Sequence, residues 1–175
     1  MIKNNYYTFK IDKSQFYKIV ETIGINQFKM ELILITFYDK ENLEFSSPIY
    51  PYQELRIIEK KVGETIENTL VYEHNYPENE PYTNQTTSIQ TNITEIENFK
   101  QILREIGFKI LGNRKEQIMT INFLEEYEMS LKIIDDFSYE IRINTLDDHY
   151  IKKEDYEEIN QYLEQYQIEN KEDIF

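Results

Sequence analysis

Hydrophobic residues recur at helical spacing near the start of the chain and predict an amphipathic helix there. Its apolar positions follow the i, i+3, i+4, i+7 pattern of a buried helical face: Phe16, Ile19, Val20 and Ile23. Asp12 or Ser14 can cap this helix at its N-terminus, because short polar side chains accept hydrogen bonds from free backbone N–H groups. Gly24 ends it, since glycine adopts the left-handed conformation that follows a helix without strain.

The same pattern returns in the second half of the chain. Thr94 is the predicted N-cap of a second helix, and Glu97 stands three residues later, as in a capping box. The predicted apolar face consists of Ile96, Phe99, Ile102, Leu103 and Ile106. Gly107 ends this helix, almost half a chain length after Gly24. We therefore interpret the sequence as two copies of a β-helix-β unit, each followed by further strands.

Runs rich in β-branched and aromatic residues predict the strands. They are Asn5–Ile11, Phe28–Asp39, a hairpin of Gln53–Lys61 and Glu67–His74 around Val62–Gly63–Glu64, then Ser88–Ile93, Phe108–Phe123, Glu128–Ile134 and Tyr139–Ile143. Leu43–Tyr52 holds two prolines and is typical of a loop or an edge strand. Asn75–Thr87 has linker composition and predicts a surface loop, with a mobile flap as the alternative.

A third helix is predicted over Lys152–Ile168, with Tyr156, Ile159, Leu163 and Tyr166 on its buried side. The elements together predict a single α+β domain. Its core is a closed or nearly closed antiparallel β-barrel, or tunnel, of about eight strands with flanking helices, because closure removes exposed strand edges. The two pseudo-repeats cover roughly 1–87 and 88–151, and the acidic C-terminal helix covers 152–168.

Charge narrows the range of partners. The chain has 175 residues, no cysteine and a net charge of −14, which disfavours nucleic-acid binding. Without cysteine, disulfides and thiolate metal sites are excluded, and we expect a cytoplasmic protein that does not associate with membranes. Eight acidic residues and one lysine fall between Glu154 and Asp173. This run is either a solvated helix face or an acidic surface for a basic protein partner, or a nucleic-acid mimic.

Several segments match the order and pattern of one known family. They are TFYD at Thr36–Asp39, ELRIIE at Glu54–Glu59, TLVYE at Thr69–Glu73, IENFKQILREIGF at Ile96–Phe108 and SYEIRI at Ser138–Ile143. In this order they resemble the CYTH superfamily, which includes class IV adenylate cyclases and triphosphatases. The resemblance implies an eight-stranded tunnel of two half-repeats, whose charged lumen binds a triphosphate with divalent metal.

The positions that carry chemistry in that family are changed here. The family's first strand reads ExExK, whereas this chain has Tyr6, Thr8 and Lys10. In ELRIIE, Arg56 keeps the first basic position but the second is an isoleucine. Glu73 reverses the charge of a family lysine.

The later motifs have also lost charged residues that the family carries. The R-x-E strand becomes the uncharged Thr87–Thr91, and K-x-R falls near Arg114–Glu116 with one cation left. The family's late aspartate maps near Lys132, and of the closing EIE only Glu140 remains, followed by Arg142. The resemblance therefore implies a degenerate active site on a retained scaffold.

The remaining charges define a candidate ligand site. The candidate ligand-binding residues are Lys10, Arg56, Lys60, Arg114, Lys132 and Glu140, and for each cation the alternative is simple exposure to solvent. Glu31, Glu59, Glu73 and Glu140 are candidates for metal ligands or for ion-pair partners, and pairing or simple exposure to solvent is the favoured interpretation. No catalytic residue, metal ligand or cofactor is assigned. Tyr6 or Tyr38 is a candidate for stacking on a base, and His74 and His149 are predicted to be surface residues.

Three functions remain open on these grounds. The favoured one is a catalytically inactive CYTH-like protein that holds a nucleotide-type or other anionic small molecule in the lumen, as a sensor or by sequestration. The first alternative is a protein-interaction or inhibitor module that acts through the acidic C-terminal helix. The second is a divergent triphosphatase or cyclase-like enzyme that requires Mg²⁺ or Mn²⁺.

Overall fold

The computed structural model of the protein describes residues 6–40, 52–77, 84–146 and 150–168. These residues form an eight-stranded antiparallel sheet and three α-helices. The elements are β1 (Tyr6–Ile11), α1 (Lys13–Ile23), β2 (Lys29–Lys40), β3 (Tyr52–Val62), β4 (Thr65–Pro77), β5 (Asn84–Asn92), α2 (Ile96–Glu105), β6 (Phe108–Phe123), β7 (Tyr127–Ile134), β8 (Ser138–Thr145) and α3 (Lys153–Glu164). The α+β class predicted from the sequence is confirmed.

The hydrogen-bonded order of the strands is β1-β8-β7-β6-β2-β3-β4-β5. This order does not close on itself through hydrogen bonds between described residues. Closure into a barrel, which the sequence pattern predicts, therefore stays a prediction. None of the helices in the described ranges combines the length and apolar character that crossing a bilayer requires.

Both stop glycines have the backbone conformation that their positions require. Gly24 has a φ of 94° and Gly107 a φ of 96°, a region that side chains with a Cβ rarely enter. Each follows a helix that lies between two strands, β1-α1-β2 and β5-α2-β6. At the start of α1, the Gln15 amide donates to Asp12 Oδ1 at 2.7 Å and the Asp12 amide donates to Gln15 Oε1 at 2.9 Å. Of the two proposed caps of α1, Asp12 is therefore the one used.

The predicted capping box of α2 is wrong by one residue. The N-cap is Glu95 rather than Thr94, and the helix begins at Ile96. Glu97 is then the second helical residue and not the third, so it cannot reach back to the cap. Instead, Asn98 Nδ2 donates to Glu95 Oε2 at 2.6 Å.

The predicted loop over Asn75–Thr87 is also wrong at both of its ends. β4 continues to Pro77 and β5 begins at Asn84, with Asn75 opposite Thr86 in the ladder. The segment is polar, but backbone pairing needs no apolar side chain, so composition alone did not reveal these strand ends. Residues 78–83 lie outside the described residues, as does the predicted loop or edge strand over Leu43–Tyr52, except for Tyr52 itself.

The helix α3 ends four residues earlier than predicted. After Glu164 the chain turns, because Gln167 has a φ of 60° and the Ile168 amide donates to the Leu163 carbonyl at 3.2 Å. The predicted inner face is otherwise present. Ile159, Leu163 and Tyr166 are buried, while Tyr156 is half-buried.

The chain divides into two compact units, and each is described by itself. Unit 1 consists of Met1–Glu31 and Glu116–Phe175. Its apolar core includes Met129, Leu131, Ile141, Ile143 and Ile159, all without exposed surface. These strand residues alternate with polar ones, so one face of the unit's sheet is packed and the other is polar.

Aromatic rings connect the helices of unit 1 to the packed face of its sheet. Phe16 of α1 lies 5.3 Å from Tyr139, measured between ring centroids, and Tyr156 of α3 lies 5.4 Å from Tyr7. Burial, with a smaller effect of Tyr156, raises the pKa of Tyr7 to about 12, so this phenol is neutral at physiological pH. The Tyr127 hydroxyl donates to Asp155 at the start of α3. The helix α3 is thus part of the core of unit 1.

Unit 2 covers Leu32–Lys115 and has a smaller core. Tyr38, Leu55, Ile57 and Leu103 form its buried apolar cluster. Only part of the predicted apolar face of α2 is covered, because Ile102 and Ile106 are each 54% exposed.

Candidate anion-binding pocket

The polar face of unit 1 is built from three consecutive cross-strand rows. Residues two apart on a strand share a face, and so do directly opposed residues on neighbouring strands. From β6 through β7 and β8 to β1, the rows are Ile118, Lys132, Glu140, Lys10; then Thr120, Ser130, Arg142, Thr8; then Asn122, Glu128, Asn144, Tyr6. The face therefore places cations, carboxylates and hydroxyl groups side by side.

A pocket of about 370 Å³ lies over this face. It is lined by Lys29, Glu31, Ile118, Thr120, Glu128, Ser130, Lys132, Arg142, Asn144 and Thr145. Three of these side chains are cationic and two are anionic, whereas the whole chain has a net charge of −14. The lining residues thus carry one more positive than negative charge in a strongly acidic protein.

Arg142 differs from the two lysines of this pocket, because no carboxylate of the described residues forms an ion pair with it. It is half-buried, its Nε is buried without a hydrogen-bond partner, and it has no ion pair with a described residue. Its Cζ lies 4.2 Å from the centroid of the Tyr6 ring, a cation–π contact that leaves the guanidinium charge unneutralised. A buried donor without a partner is unfavourable, so this guanidinium is well suited to receive an anionic ligand.

Lys132 has a different environment in the same pocket. Its Nζ lies 3.9 Å from Glu116 Oε2 and 3.9 Å from Glu140 Oε1. All three side chains are at most 19% exposed, so solvent screens these charges only partly. Lys132 is thus held between two carboxylates and still contacts the pocket.

The donor set fits a divalent metal poorly. In the described ranges, His, Asp and Glu side chains do not form any group of three or more that could hold a metal ion. Mg²⁺ needs several oxygen ligands in near-octahedral geometry. Glu116 and Glu140 are both next to the Lys132 ammonium, and Glu31 lies 3.4 Å from Lys29 Nζ.

In unit 2, Arg56 is occupied by two carboxylates. Its Nη2 donates to Glu73 Oε1 at 2.8 Å and its Nη1 donates to Glu73 Oε2 at 3.1 Å, while Nη1 also donates to Glu54. The hydrogen bond with Glu73 raises the pKa of Arg56 and outweighs burial, which acts to lower it. The same bond lowers the pKa of Glu73. This arginine stabilises the sheet and has little charge left for a ligand.

The six candidate residues are divided between the two units. Lys10, Lys132 and Glu140 share one row of unit 1, in which Lys10 is exposed and lies opposite Glu140. Arg56, Lys60 and Arg114 belong to unit 2. Lys60 lies opposite Glu67 on β4, and Arg114 is exposed on β6. For all six residues, a role in binding stays a prediction.

Several pocket residues were missed by the sequence analysis, above all Arg142, Lys29 and Glu128. The available signal was strand alternation. Arg142 stands two residues after Glu140 and therefore had to share its face. The family resemblance presents Arg142 only as the replacement of the second acidic residue in the closing EIE motif, and not as a ligand-binding residue.

The remaining candidates are placed as follows. Tyr38 is 3% exposed within the core of unit 2, so burial excludes it as a stacking platform. Tyr6 is 43% exposed and has Arg142 over its ring. Glu59 is an ion-pair partner, since its Oε2 lies 2.9 Å from Lys100 Nζ. The side chain of His74 and the whole of His149 lie outside the described part of the structure.

Comparison with known proteins gives relatives by fold. No family model matches the chain, and no curated protein matches it. Among solved structures, the PH1819 protein of Pyrococcus horikoshii OT3 is 18% identical with a TM-score of 0.53, covering 94% of this chain and 92% of that one. The protein HpAC1 from Hippeastrum, an adenylyl cyclase by name with a dominant triphosphatase activity, is 14% identical with a TM-score of 0.57, covering 93% and 87%.

At identities of 18% and 14%, the similarity to these structures is a similarity of fold alone. The chain shares its fold with HpAC1 over nearly its whole length. The resemblance to the CYTH superfamily is thereby confirmed at the level of the fold.

Proposed function

We propose that the pocket of unit 1 binds a small phosphate-bearing anion and does not turn it over. The observation that carries this proposal is Arg142, a half-buried guanidinium that makes no ion pair with a described residue and lines the pocket with Lys29 and Lys132. Guanidinium groups recognise phosphate through paired hydrogen bonds, which makes arginine suited to this ligand class.

The dimensions of the pocket agree with a ligand of nucleotide size. Its volume of about 370 Å³ lies within the usual range of small-molecule sites, roughly 300–1,000 Å³. Thr120 and Ser130 present hydroxyl groups 3.5 Å apart, and both line the same pocket. The triphosphatase activity of HpAC1, which has the same fold, supports a polyphosphate or nucleoside phosphate as the first candidate.

We infer the absence of turnover from the carboxylates and cations that the structure offers to a metal ion and a phosphate. Phosphoryl transfer is driven by positioning and by stabilisation of charge with metal ions and cations. In the residues that the structure describes, carboxylates do not form a metal cluster, and Arg56 is already bound to Glu54 and Glu73. Binding therefore supports a sensor or sequestering role.

Isothermal titration calorimetry tests the proposal with tripolyphosphate, ATP and a cyclic dinucleotide as separate probes. We expect the wild type to bind at least one of them at a single site. Arg142→Gln should weaken that binding by about tenfold or more, equivalent to about 1.4 kcal/mol. Arg56→Gln is the matched control, because it removes an arginine whose charge is already neutralised by two carboxylates.

Two results would overturn the proposal. One is the absence of heat with every probe in a folded wild-type protein. The other is binding by Arg142→Gln that equals wild-type binding, since the ligand would then lie elsewhere.

An enzymatic function is the alternative that the fold suggests. It predicts steady release of phosphate from tripolyphosphate or ATP in the presence of Mg²⁺ or Mn²⁺. That release should vanish in the double variant Glu140→Gln, Arg142→Gln, which removes both kinds of charge from the polar face of unit 1. Such metal-dependent release would replace the proposal of binding without turnover.

The exposed side of α3 supports a second alternative. Glu154, Glu157, Glu158 and Glu164 are exposed, whereas Ile159 and Leu163 on the other side are buried. This alternative predicts binding to a basic peptide that weakens steeply with salt and is reduced in Glu157→Gln, Glu158→Gln. Binding of phosphate anions should be unchanged in that variant.

A further inference from the structure

The metal dependence that the family resemblance implies does not agree with the charges of this pocket. We infer that the ammonium group of Lys132 takes the place of a divalent metal, so that the pocket binds its anion without a metal ion. This inference rests on the proposed function, and it specifies the cofactor requirement of the same site.

The ammonium group of Lys132 lies between two carboxylates. Lys132 Nζ lies 3.9 Å from a carboxylate oxygen of Glu116 and equally far from one of Glu140. Glu116 is on β6, Lys132 on β7 and Glu140 on β8, so three adjacent strands converge on one cationic centre. The ammonium therefore lies at the edge of the anion pocket and beside protein carboxylates. A catalytic metal ion would be expected in such a position.

The nearby carboxylates already have lysines beside them. Lys29 Nζ lies 3.4 Å from Glu31 Oε1, and Lys10 stands opposite Glu140 in the register of β1 and β8. A divalent ion close to Glu116 and Glu140 would lie within a few ångström of the Lys132 ammonium. At exposures of 19% or less, solvent screens that repulsion only partly.

Lys132 is attached to a buried part of the sheet. Its neighbours on β7, Leu131 and Ser130, are 0% and 7% exposed. The tethered ammonium is present at all times and needs no metal from solution. Lys132 differs from Arg56, which hydrogen-bonds both of its carboxylates, because 3.9 Å is beyond hydrogen-bond distance. The ammonium can therefore still donate to an anion that reaches Arg142, one row away.

Two measurements on the wild-type protein test the inference. In the first, Mn²⁺ is titrated into the protein and the free ion is followed by electron paramagnetic resonance. We expect no site of one-to-one stoichiometry at physiological ionic strength. In the second, calorimetry compares tripolyphosphate binding before and after treatment with a chelator, and we expect the same affinity within about twofold.

Two variants separate the charge of Lys132 from its packing. Lys132→Met keeps the length of the side chain and removes its charge, and it should weaken tripolyphosphate binding by about tenfold or more. Lys132→Arg keeps the charge and should retain most of the affinity. Circular dichroism checks that both variants are folded, and the wild-type measurements remain decisive if Lys132→Met is not.

The possible results separate this inference from the proposed function. Stoichiometric Mn²⁺ binding that is lost in Glu140→Gln would overturn the inference, as would anion binding that disappears with the chelator. Failure of tripolyphosphate, ATP and the cyclic dinucleotide to bind under any condition would sink the proposed function. In that case the Mn²⁺ titration still decides whether these carboxylates hold a metal.

Discussion

Arg56 lies between the carboxylates of two residues that are directly opposed on neighbouring strands, Glu54 and Glu73. It donates two hydrogen bonds to Glu73, at 2.8 and 3.1 Å, and a further one to Glu54. Like charges at directly opposed positions destabilise a sheet. The guanidinium therefore stabilises the pairing of β3 with β4, and the stability of unit 2 depends on it.

Arg56→Gln should lower the free energy of unfolding by about 2 kcal/mol, since it removes charged hydrogen bonds and leaves two partly buried carboxylates facing each other. Urea denaturation followed by circular dichroism measures this loss. The double variant Arg56→Gln, Glu73→Gln should recover part of the stability, because one of the opposed charges is gone. A double variant less stable than Arg56→Gln would contradict this account.

The same pair predicts an acid dependence of stability. Hydrogen bonds from Arg56 hold the pKa of Glu73 below its ordinary value of 4.5 in the folded protein. Its contribution is therefore fully present above the ordinary value and is lost as the pH falls through the lower, folded value. The stability difference between wild type and Glu73→Gln should be largest near neutral pH and shrink in acid. A difference that grows in acid would contradict the assignment.

Gly24 and Gly112 allow a matched test of backbone strain. Gly24→Ala should cost about 1–3 kcal/mol, because alanine rarely adopts a φ of 94°. Gly112→Ala is the control, since it has no such φ and nothing within 4 Å of a new Cβ. Its effect should stay within about 0.5 kcal/mol. Equal losses in the two variants, measured by chemical denaturation, would refute the proposed role of Gly24.

The helix α3 is predicted to be a stability element as well as an acidic surface. Ile159→Ala should destabilise the protein by about 2–5 kcal/mol, because Ile159 is fully buried in the core of unit 1. Ile102→Ala on α2, at 54% exposure, should change stability by less than about 0.5 kcal/mol. If thermal denaturation shows that Ile159→Ala unfolds like wild type, α3 does not contribute to the core in solution.

The sequence predicted much of the fold because the signals involved are local. Hydrophobic periodicity located the three helices and the strands, and Gly24 and Gly107 marked the ends of α1 and α2. The start of α2 was wrong by one residue, since either Thr94 or Glu95 can precede the first turn and only backbone geometry decides between them. The strand ends at Asn75 and Thr86 were missed because polar side chains conceal backbone pairing.

The candidate site was harder to predict because it depends on side-chain pairing across strands. The sequence places Arg56 and Arg142 on comparable strands, and nothing in their local patterns shows that one is held by two carboxylates and the other by none that the structure describes. That difference arises from the register that brings Glu73 opposite Glu54. Register is a long-range property, so strand alternation alone defines the face of a residue and not its partner.

The central claim is that a phosphate anion binds at Arg142 and Lys132 without metal. A crystal structure of the protein grown with tripolyphosphate in the presence of a chelator tests it most directly. The account predicts phosphate oxygens within hydrogen-bond distance of the Arg142 guanidinium and the Lys132 ammonium. A pocket free of the anion, or an anion bound elsewhere, would contradict the account.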